Sequence, residues 1–282
     1  MSPNAPPIRG VSDTAKWVAY FRACETKRPD ALFRDPFAER LAGQIGFQIA
    51  NSLTHGNKHE WGWAARTYLF DQFLAAEIQQ AQVVVNLAAG LDARPYRMDL
   101  PASLFWVEVD LPENITYKEE ILGSETPHCR LERVSIDLSD IQARRALFAR
   151  IEALGKTVVV LTEGLLLYFT EQEVASLAVD LGATPQFHSW ITDLASPGQL
   201  RFMQRTSGKQ LSEVGAAFKF APLNGAHFFA DYGWEPHSVQ GLLKTAAQFQ
   251  RAPSELLSLL PEPKIIGPRY PWAGVCLLRR KG

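Results

Sequence analysis

The 282-residue sequence contains only three cysteines, Cys24, Cys129 and Cys276. They lie far apart, are odd in number and form no C-x-x-C pair, which argues against a disulfide framework and against a zinc site. We expect three buried or inert thiols and no bound metal. The hydrophobic fraction of 46% and the charged fraction of 21% are typical of a globular protein rather than a disordered one.

An excess of positive charge is also missing, because 29 Lys and Arg residues face 30 Asp and Glu residues. A net charge of -1 provides no global field to attract polyanions, so we expect no nucleic-acid partner. Apolar runs such as 158–161 are far shorter than the roughly 20 residues that span a bilayer. The first seven residues lack the basic and apolar regions of a secretion signal. We therefore expect no membrane partner and a cytoplasmic location.

Helical patterns dominate the first 80 residues, with apolar spacing that predicts helices over 11–23, from Pro36 to near Gly43, and over 56–80. We interpret residues 1–80 as a helical N-terminal extension, or lid, and residues 81–282 as the main domain, the two forming one compact unit. The oligomeric state is not predicted.

After Gln82, short apolar runs alternate with amphipathic stretches, which is typical of an α/β fold. Strands are predicted at 83–87, 104–109, 131–136, 158–161, 186–192 and 274–278, with helices at 112–121, 141–154 and 171–181. Consecutive apolar residues indicate a parallel sheet that is covered on both faces. Residues 197–250 show no strand pattern and are predicted to be a helical insertion late in the sheet.

Acidic residues follow three of the predicted strands. Gly90 lies in a small-residue turn after the first strand, and Asp110 lies 20 residues further on, at the end of the second. This spacing suits a carboxylate that binds both ribose hydroxyls of an adenosine-type ligand. Asp137 and Glu163 follow the third and fourth strands, so the three acids should meet at one sheet edge.

The turn at 88–93 lacks two of the three glycines of the G-x-G-x-x-G motif that binds a pyrophosphate. Acidic side chains repel phosphates but suit a ligand with hydroxyls and a fixed positive charge, which favours S-adenosylmethionine over NAD. An NAD-dependent dehydrogenase and a non-catalytic nucleotide-binding module remain the alternatives.

Five blocks in order resemble the leucine carboxyl methyltransferase family, including its bacterial S-adenosylmethionine-dependent members. They are the N-terminal signature RAxE at 22–25 with RPDALFRDP at 28–36, then AGLDAR at 89–94, EVDLP at 108–112, DL at 137–138 and EGLLLY at 163–168. The resemblance covers residues 11–193. It implies a class I methyltransferase fold with a Rossmann-like sheet of about seven strands, helices on both faces and a helical N-terminal part over the cofactor. Asn86 and Ala88 depart from the family's apolar residue and glycine, so we expect a slightly displaced loop.

The resemblance also implies roles for seven cofactor-binding residues. Gly90 would lie under the methionine portion and Glu163 near its end, while Asp110 would hold the ribose. Asp137 and the Leu138 backbone would meet the adenine. Arg66 matches the arginine that pairs with the cofactor carboxylate, a task that a planar guanidinium performs bidentately. Arg22 is a weaker candidate for the same region, with an ion pair to Glu25 as the alternative.

The methyl acceptor is not identified by any motif. A carboxylate acceptor is already ionised at pH 7 and needs no base, whereas a hydroxyl needs one. Tyr168 and His227 are the candidate catalytic residues, with His188 and His237 as further histidines and Asp193 on the acceptor side. Aromatic residues in 202–234 favour a small, flat, apolar acceptor such as a polyketide of secondary metabolism, with a protein C-terminus as the alternative.

Overall fold

The computed structural model describes residues 8, 10–52, 60–213, 215–252, 254 and 269–281. Its centre is a sheet whose strands are β1 Val83–Leu87, β2 Phe105–Asp110, β3 Arg130–Ser135, β4 Val158–Thr162, β5 Phe187–Ala195, β6 Trp234–Gly241 and β7 Ala273–Arg280. The seven strands lie in the order β3-β2-β1-β4-β5-β7-β6. The first five are parallel, and β7 runs antiparallel between β5 and β6.

Strand order reverses between β1 and β4, which are neighbours although two strands separate them in sequence. A crevice opens at such a switch point, outside the carboxyl ends of the strands, and ligands of open α/β sheets bind there. The topology therefore places the turn after β1 and the residues after β4 side by side.

The helices before the sheet are α1 Val11–Thr26, α2 Ala38–Ser52 and α3 Glu60–Glu77. Those between the parallel strands are α4 Arg94–Arg97, α5 Pro112–Leu122, α6 Ile141–Glu152 and α7 Glu171–Gly182. After β5 follow α8 Pro197–Met203, α9 Lys209–Ser212 and α10 Leu242–Gln248, with a 3-10 helix over Gly225–Tyr232. No helix in these described ranges combines the length and the apolar character needed to cross a membrane.

Alternate residues of the central strands enter separate cores on the two faces of the sheet. Val83 and Val85 pack with Phe148 of α6 on one face, while Val84 packs with Phe70 of α3 on the other. Every residue of β1 and β4 is buried. Burial on both faces explains why these strands are apolar at consecutive positions.

The prediction of an α/β sheet of about seven strands with helices on both faces is confirmed. The prediction of no strand in 197–250 is wrong, because β6 lies there as an edge strand. Its sequence contains Pro236 and several polar residues, which an edge strand tolerates because only one side is paired. The pairing with β7 shifts register between Pro236 and Ser238. No apolar run was available to signal this strand.

Helix α2 continues beyond the end predicted near Gly43. Gly43 has φ +54 inside this element, so the chain kinks there and the helical path resumes as far as Ser52. Glycine allows this because it has no Cβ to clash in the left-handed region. The start predicted for the next helix, at residue 56, lies outside the described residues.

The N-terminal helices share a hydrophobic cluster with the segment after α8. Trp17 and Phe21 of α1 pack in it with Leu211 and Phe218, all buried. The described part of the N-terminal helices and the late segment thus share one hydrophobic cluster. The division of the chain at residue 80 stays a prediction.

Candidate functional site

A cavity of about 960 Å³ lies at the carboxyl ends of the parallel strands. One half is lined by the turn after β1 and by the residues that end β2, β3 and β4. The other half is lined by parts of 199–220 and by 270–274, while α1 and the start of α3 also border the first half, since Ala15 lies against Gly90 and Arg66 pairs with Glu163. The cavity thus joins the predicted cofactor residues to the late segment of the chain.

The turn after β1 contains two residues with positive φ, Ala88 at +53 and Gly90 at +49. A Cβ at Gly90 would lie 3.3 Å from the Cβ of Ala15 on α1, so glycine permits both the backbone shape and the close approach. Ala88 takes the left-handed conformation as well, at a cost of roughly 1–2 kcal/mol for a residue with a Cβ.

Asp110 organises the cavity wall at the end of β2. One oxygen accepts from the backbone N–H of Gly90. The other accepts from the Leu111 N–H at 2.7 Å and from Asn114 Nδ2 at 2.8 Å. The side chain is buried but lines the cavity. Sequence spacing placed Asp110 at this edge, whereas Asn114 on α5 was not predicted as its partner.

Asp137 and Leu138 follow β3 and line the cavity together. Asp137 is exposed and its Oδ1 accepts from the Ser139 N–H at 2.9 Å. The Leu138 side chain is buried in the core beside α6. The two residues predicted to meet an adenine therefore lie at the same wall as Asp110.

Arg66 lies between two carboxylates. Its Nε is 3.1 Å from Glu163 Oε1 and its Nη1 is 3.3 Å from Asp193 Oδ2. The guanidinium also stacks on the Trp63 ring, 4.6 Å from the ring centroid. Burial raises the pKa of Asp193, although Arg66 and the Gly164 N–H oppose the increase. The structure thus brings Arg66 and Glu163 together with Asp193 on the cavity wall.

Arg94 is a cavity-lining residue that the sequence prediction of the site missed. Its Nη1 contacts Glu163 Oε2 at 2.8 Å and Asp92 Oδ2 at 2.7 Å, while Nε donates to Asp71 at 2.7 Å. Its position in the AGLDAR block was the available signal. Burial alone would raise the pKa of Asp92, but Arg94 and then Lys118 hold it well below its usual range.

Arg22 also lines the cavity, but it does not pair with Glu25. Its Nε donates to Asp35 Oδ2 at 2.8 Å and its Nη2 donates to the Leu91 carbonyl. The Glu25 carboxylate pairs instead with Arg251, at 3.1 Å. The alternative of an Arg22–Glu25 ion pair is therefore wrong, and Arg22 connects α1 to the glycine turn.

The two candidate catalytic residues lie in different places. Tyr168 lines the cavity, and burial raises the pKa of its hydroxyl, although a hydrogen bond with Thr14 and the nearby Arg66 oppose the increase. A phenol with a raised pKa stays protonated at neutral pH. His227, like His188 and His237, is exposed and lies outside the cavity lining.

The aromatic residues of the late segment divide between cavity and core. Phe202, Phe218 and Phe220 line the cavity. Phe229 and Trp234 are fully buried and pack edge-on against Trp190 of β5. Only part of the predicted aromatic set is therefore available to a ligand. Residues 270–272, which were not predicted, add Tyr270 and Trp272 to the cavity wall.

Comparison with known proteins places this geometry in a family. The model of the family "Leucine carboxyl methyltransferase" matches residues 15–181. A protein of Mycobacteroides abscessus described as "Putative S-adenosyl-L-methionine-dependent methyltransferase" is 32% identical over 75% of this chain and 74% of its own length. A similarly described protein of Parafrankia sp. is 28% identical over 88% of this chain and 84% of its own.

Two solved structures share the fold at low sequence identity. A duf574 family protein from Streptomyces avermitilis superposes with a TM-score of 0.60 and 12% identity, covering 95% of this chain and 97% of that one. A "putative methyltransferase" from Thermobifida fusca gives 0.57 and 15%, covering 98% and 96%. The family match extends over more than half of the sequence and includes the Gly90 turn, Asp110, Asp137 and Glu163. The chain therefore belongs to the leucine carboxyl methyltransferase family.

Proposed function

We propose that this S-adenosylmethionine-dependent methyltransferase transfers the methyl group to a carboxyl or hydroxyl oxygen of a small, apolar, aromatic metabolite. The observation that carries the proposal is the aromatic half of the cavity. Trp17, Trp63 and Tyr168 line it together with the late segment's aromatic residues Phe202, Phe218, Phe220, Tyr270 and Trp272, and the rings of Tyr168 and Phe218 lie 5.6 Å apart. Aromatic walls of this kind favour flat apolar ligands.

The other half of the cavity fits the cofactor. Gly90 leaves space that a Cβ would occupy, and Asp110 and Asp137 offer carboxylate oxygens to hydroxyl and amino groups. Arg66 offers a guanidinium to a carboxylate, while Glu163 and Asp193 suit a cationic group. The ionised Asp92 disfavours a pyrophosphate at the same turn, which argues against the NAD alternative.

The bound cofactor supplies an electrophilic methyl group on a cationic sulfur. The chain's own task is to hold the acceptor oxygen in line with that group and to exclude water, and such positioning can supply roughly 7–11 kcal/mol of the barrier. The buried aromatic side chains exclude water from the acceptor half. A carboxylate acceptor needs no proton removed by the protein.

A protein C-terminal carboxylate is the second candidate acceptor. The family description, leucine carboxyl methyltransferase, supports transfer to a carboxyl oxygen. The two candidate acceptors would occupy the cavity differently. A chain terminus must enter it as an extended peptide, whereas a small metabolite is enclosed by it.

Incubation with S-adenosylmethionine labelled in its methyl group tests the proposal. The acceptors are aromatic carboxylic acids, phenols and peptides that end in leucine. We expect label in the aromatic compounds, with base-labile label indicating a methyl ester and base-stable label an ether. Label in the peptides alone would support the second candidate. Cofactor binding without any released S-adenosylhomocysteine would support a non-catalytic module.

A pair of phenylalanine and leucine variants locates the acceptor. Phe202 is 42% exposed and lines the cavity, whereas Leu223 is 67% exposed and lies outside its lining. Phe202→Ala should raise the KM for the best aromatic acceptor several-fold and leave the Kd of S-adenosylhomocysteine unchanged. Leu223→Ala should change neither. Equal KM values for both variants would contradict an acceptor site in the aromatic half.

A further inference from the structure

Arg144 on α6 carries a buried charge, and its contacts have no role in the methyl transfer described above. The residue is 2% exposed. Its Nε and Nη2 donate to Asp180 of α7, and Nη2 also donates to Ser176 Oγ at 3.0 Å. The remaining contact is from Nη1 to the Leu138 carbonyl oxygen, at 3.0 Å. This arginine therefore connects the α6–α7 layer to a residue that lines the cavity.

The contact with Leu138 fixes one peptide group from both of its ends. The Leu138 carbonyl accepts from Arg144, and the N–H of Ser139, in the same peptide plane, donates to Asp137 Oδ1 at 2.9 Å. A planar peptide group cannot turn one end without the other. The direction of the Asp137 carboxylate thus depends on the plane that Arg144 holds.

We propose that Arg144 is a positioning residue for adenine selection, acting through the Leu138–Ser139 peptide on the Asp137 carboxylate. This inference rests on the use of S-adenosylmethionine.

The free groups at this wall match one edge of adenine. With Asp137 Oδ1 engaged by Ser139, Oδ2 remains as an acceptor, and the Leu138 N–H donates to no acceptor among the described residues. An acceptor beside a donor complements the amino group and the adjacent ring nitrogen of adenine. Hypoxanthine presents a carbonyl oxygen and a ring N–H there, so it would face both groups with the wrong polarity.

Stability alone does not account for an arginine at this position. Replacing a buried ion pair by apolar residues is often neutral or stabilising. A guanidinium also fixes the direction of the hydrogen bond to the Leu138 carbonyl, because its rigid fork contacts Asp180, Ser176 and Leu138 at once. Lysine, a compact point charge, cannot reproduce all of these contacts.

Calorimetric titration with S-adenosylhomocysteine and with S-inosylhomocysteine tests the proposal, because the two ligands differ only in the base. We expect the wild type to prefer the adenine ligand. Arg144→Met should reduce the ratio of the two Kd values about tenfold, and Arg144→Lys about threefold. Arg145→Met is the matched control, since Arg145 is exposed and pairs with the same Asp180 without contacting Leu138. Its ratio should stay within twofold of the wild type.

A double-variant cycle separates positioning from general loosening. In an Asp137→Ala background, Arg144→Lys should reduce the ratio no further, because the group through which Arg144 acts is gone. If Arg144→Lys reduces the Kd ratio in that background as much as in the wild type, the proposal is overturned. It is also overturned if the Kd ratio of Arg144→Lys equals that of the wild type, or if Arg145→Met reduces the ratio as much as Arg144→Met. If Arg144→Met does not fold, Arg144→Lys carries the test. A wild type that binds neither ligand would overturn the cofactor assignment itself, and this inference with it.

Discussion

Asp110 accepts a hydrogen bond from the backbone N–H of Gly90, 20 residues earlier in the chain. The bond ties the end of β2 to the turn after β1, and Asp110 also holds Leu111 and Asn114. One carboxylate therefore fixes the cavity wall while it lies within reach of a ligand. The residue is both a ligand-binding candidate and a structural support of its own site.

Asp110→Ala should weaken S-adenosylhomocysteine binding by about 1.5–3 kcal/mol, the value of hydrogen bonds to a charged group. Isothermal titration calorimetry measures the change. Asp231→Ala is the control, since Asp231 is exposed and lies outside the cavity lining. An unchanged Kd in Asp110→Ala would count against the ribose assignment.

Ala88→Gly should raise the free energy of unfolding by up to about 1 kcal/mol. The left-handed backbone at Ala88 is strained for a residue with a Cβ, and glycine removes the strain at some cost in unfolded-state entropy. Urea unfolding followed by circular dichroism measures it. The neighbour Ala89 has no positive φ, so Ala89→Gly should destabilise by about 0.4–1 kcal/mol through the added entropy of the unfolded chain. Destabilisation of equal size in both variants would contradict strain at Ala88.

Asp193 should make the protein less stable as the pH rises. Burial raises the pKa of its carboxyl, so between the unfolded-state pKa and this raised pKa the folded state binds the additional proton. Wild-type stability relative to Asp193→Asn should therefore be greatest below that window and fall as the pH rises through it. Unfolding free energies of both proteins across this range measure the difference.

In the comparison with Asp193→Asn, interactions that do not titrate add a constant offset, so only the change of the difference with pH reports the carboxyl group. A difference for Asp193 that rises with pH would mean that Arg66 lowers the carboxyl pKa more than burial raises it.

Arg251→Gln should destabilise the fold by about 2–3 kcal/mol. Arg251, just after α10, pairs with Glu25 of α1 at 3.1 Å and with Asp30 at 2.8 Å, and both its side chain and that of Glu25 are almost fully buried. Among the described residues, loss of Arg251 leaves the buried Glu25 carboxylate with only the Leu32 N–H at 2.8 Å and the more distant Arg28 to balance its charge. Thermal and urea unfolding measure the loss.

The matched control for this contact is Arg28→Gln. Arg28 also approaches Glu25, but its side chain is 47% exposed and the distance is 3.9 Å. Exposed pairs contribute at most about 1 kcal/mol, so the control should be nearly neutral. Similar losses of unfolding free energy in both variants would contradict a stabilising role for the buried Arg251–Glu25 pair.

The sequence by itself determined the central sheet and its acidic edge. Strands β1 and β4 are apolar at consecutive positions because both of their faces are covered, and that pattern can be read without a structure. The carboxylates Asp110, Asp137 and Glu163 follow from the same reading, since residues after parallel strands meet at one edge. The four family blocks from AGLDAR onward lie in this locally encoded part, whereas the N-terminal signature at 22–36 precedes the sheet.

Only the tertiary structure decided the rest. Strand β6 has no apolar run that would reveal it in the sequence. It forms by backbone pairing with β7 at the edge of the sheet, where polar residues and proline are tolerated. Arg22 bonds to Leu91 69 residues away, Arg144 to Asp180 36 residues away, and Glu25 to Arg251 226 residues away. Charge pairing has no periodicity along the chain, and the direction of a buried guanidinium depends on which helices pack around it.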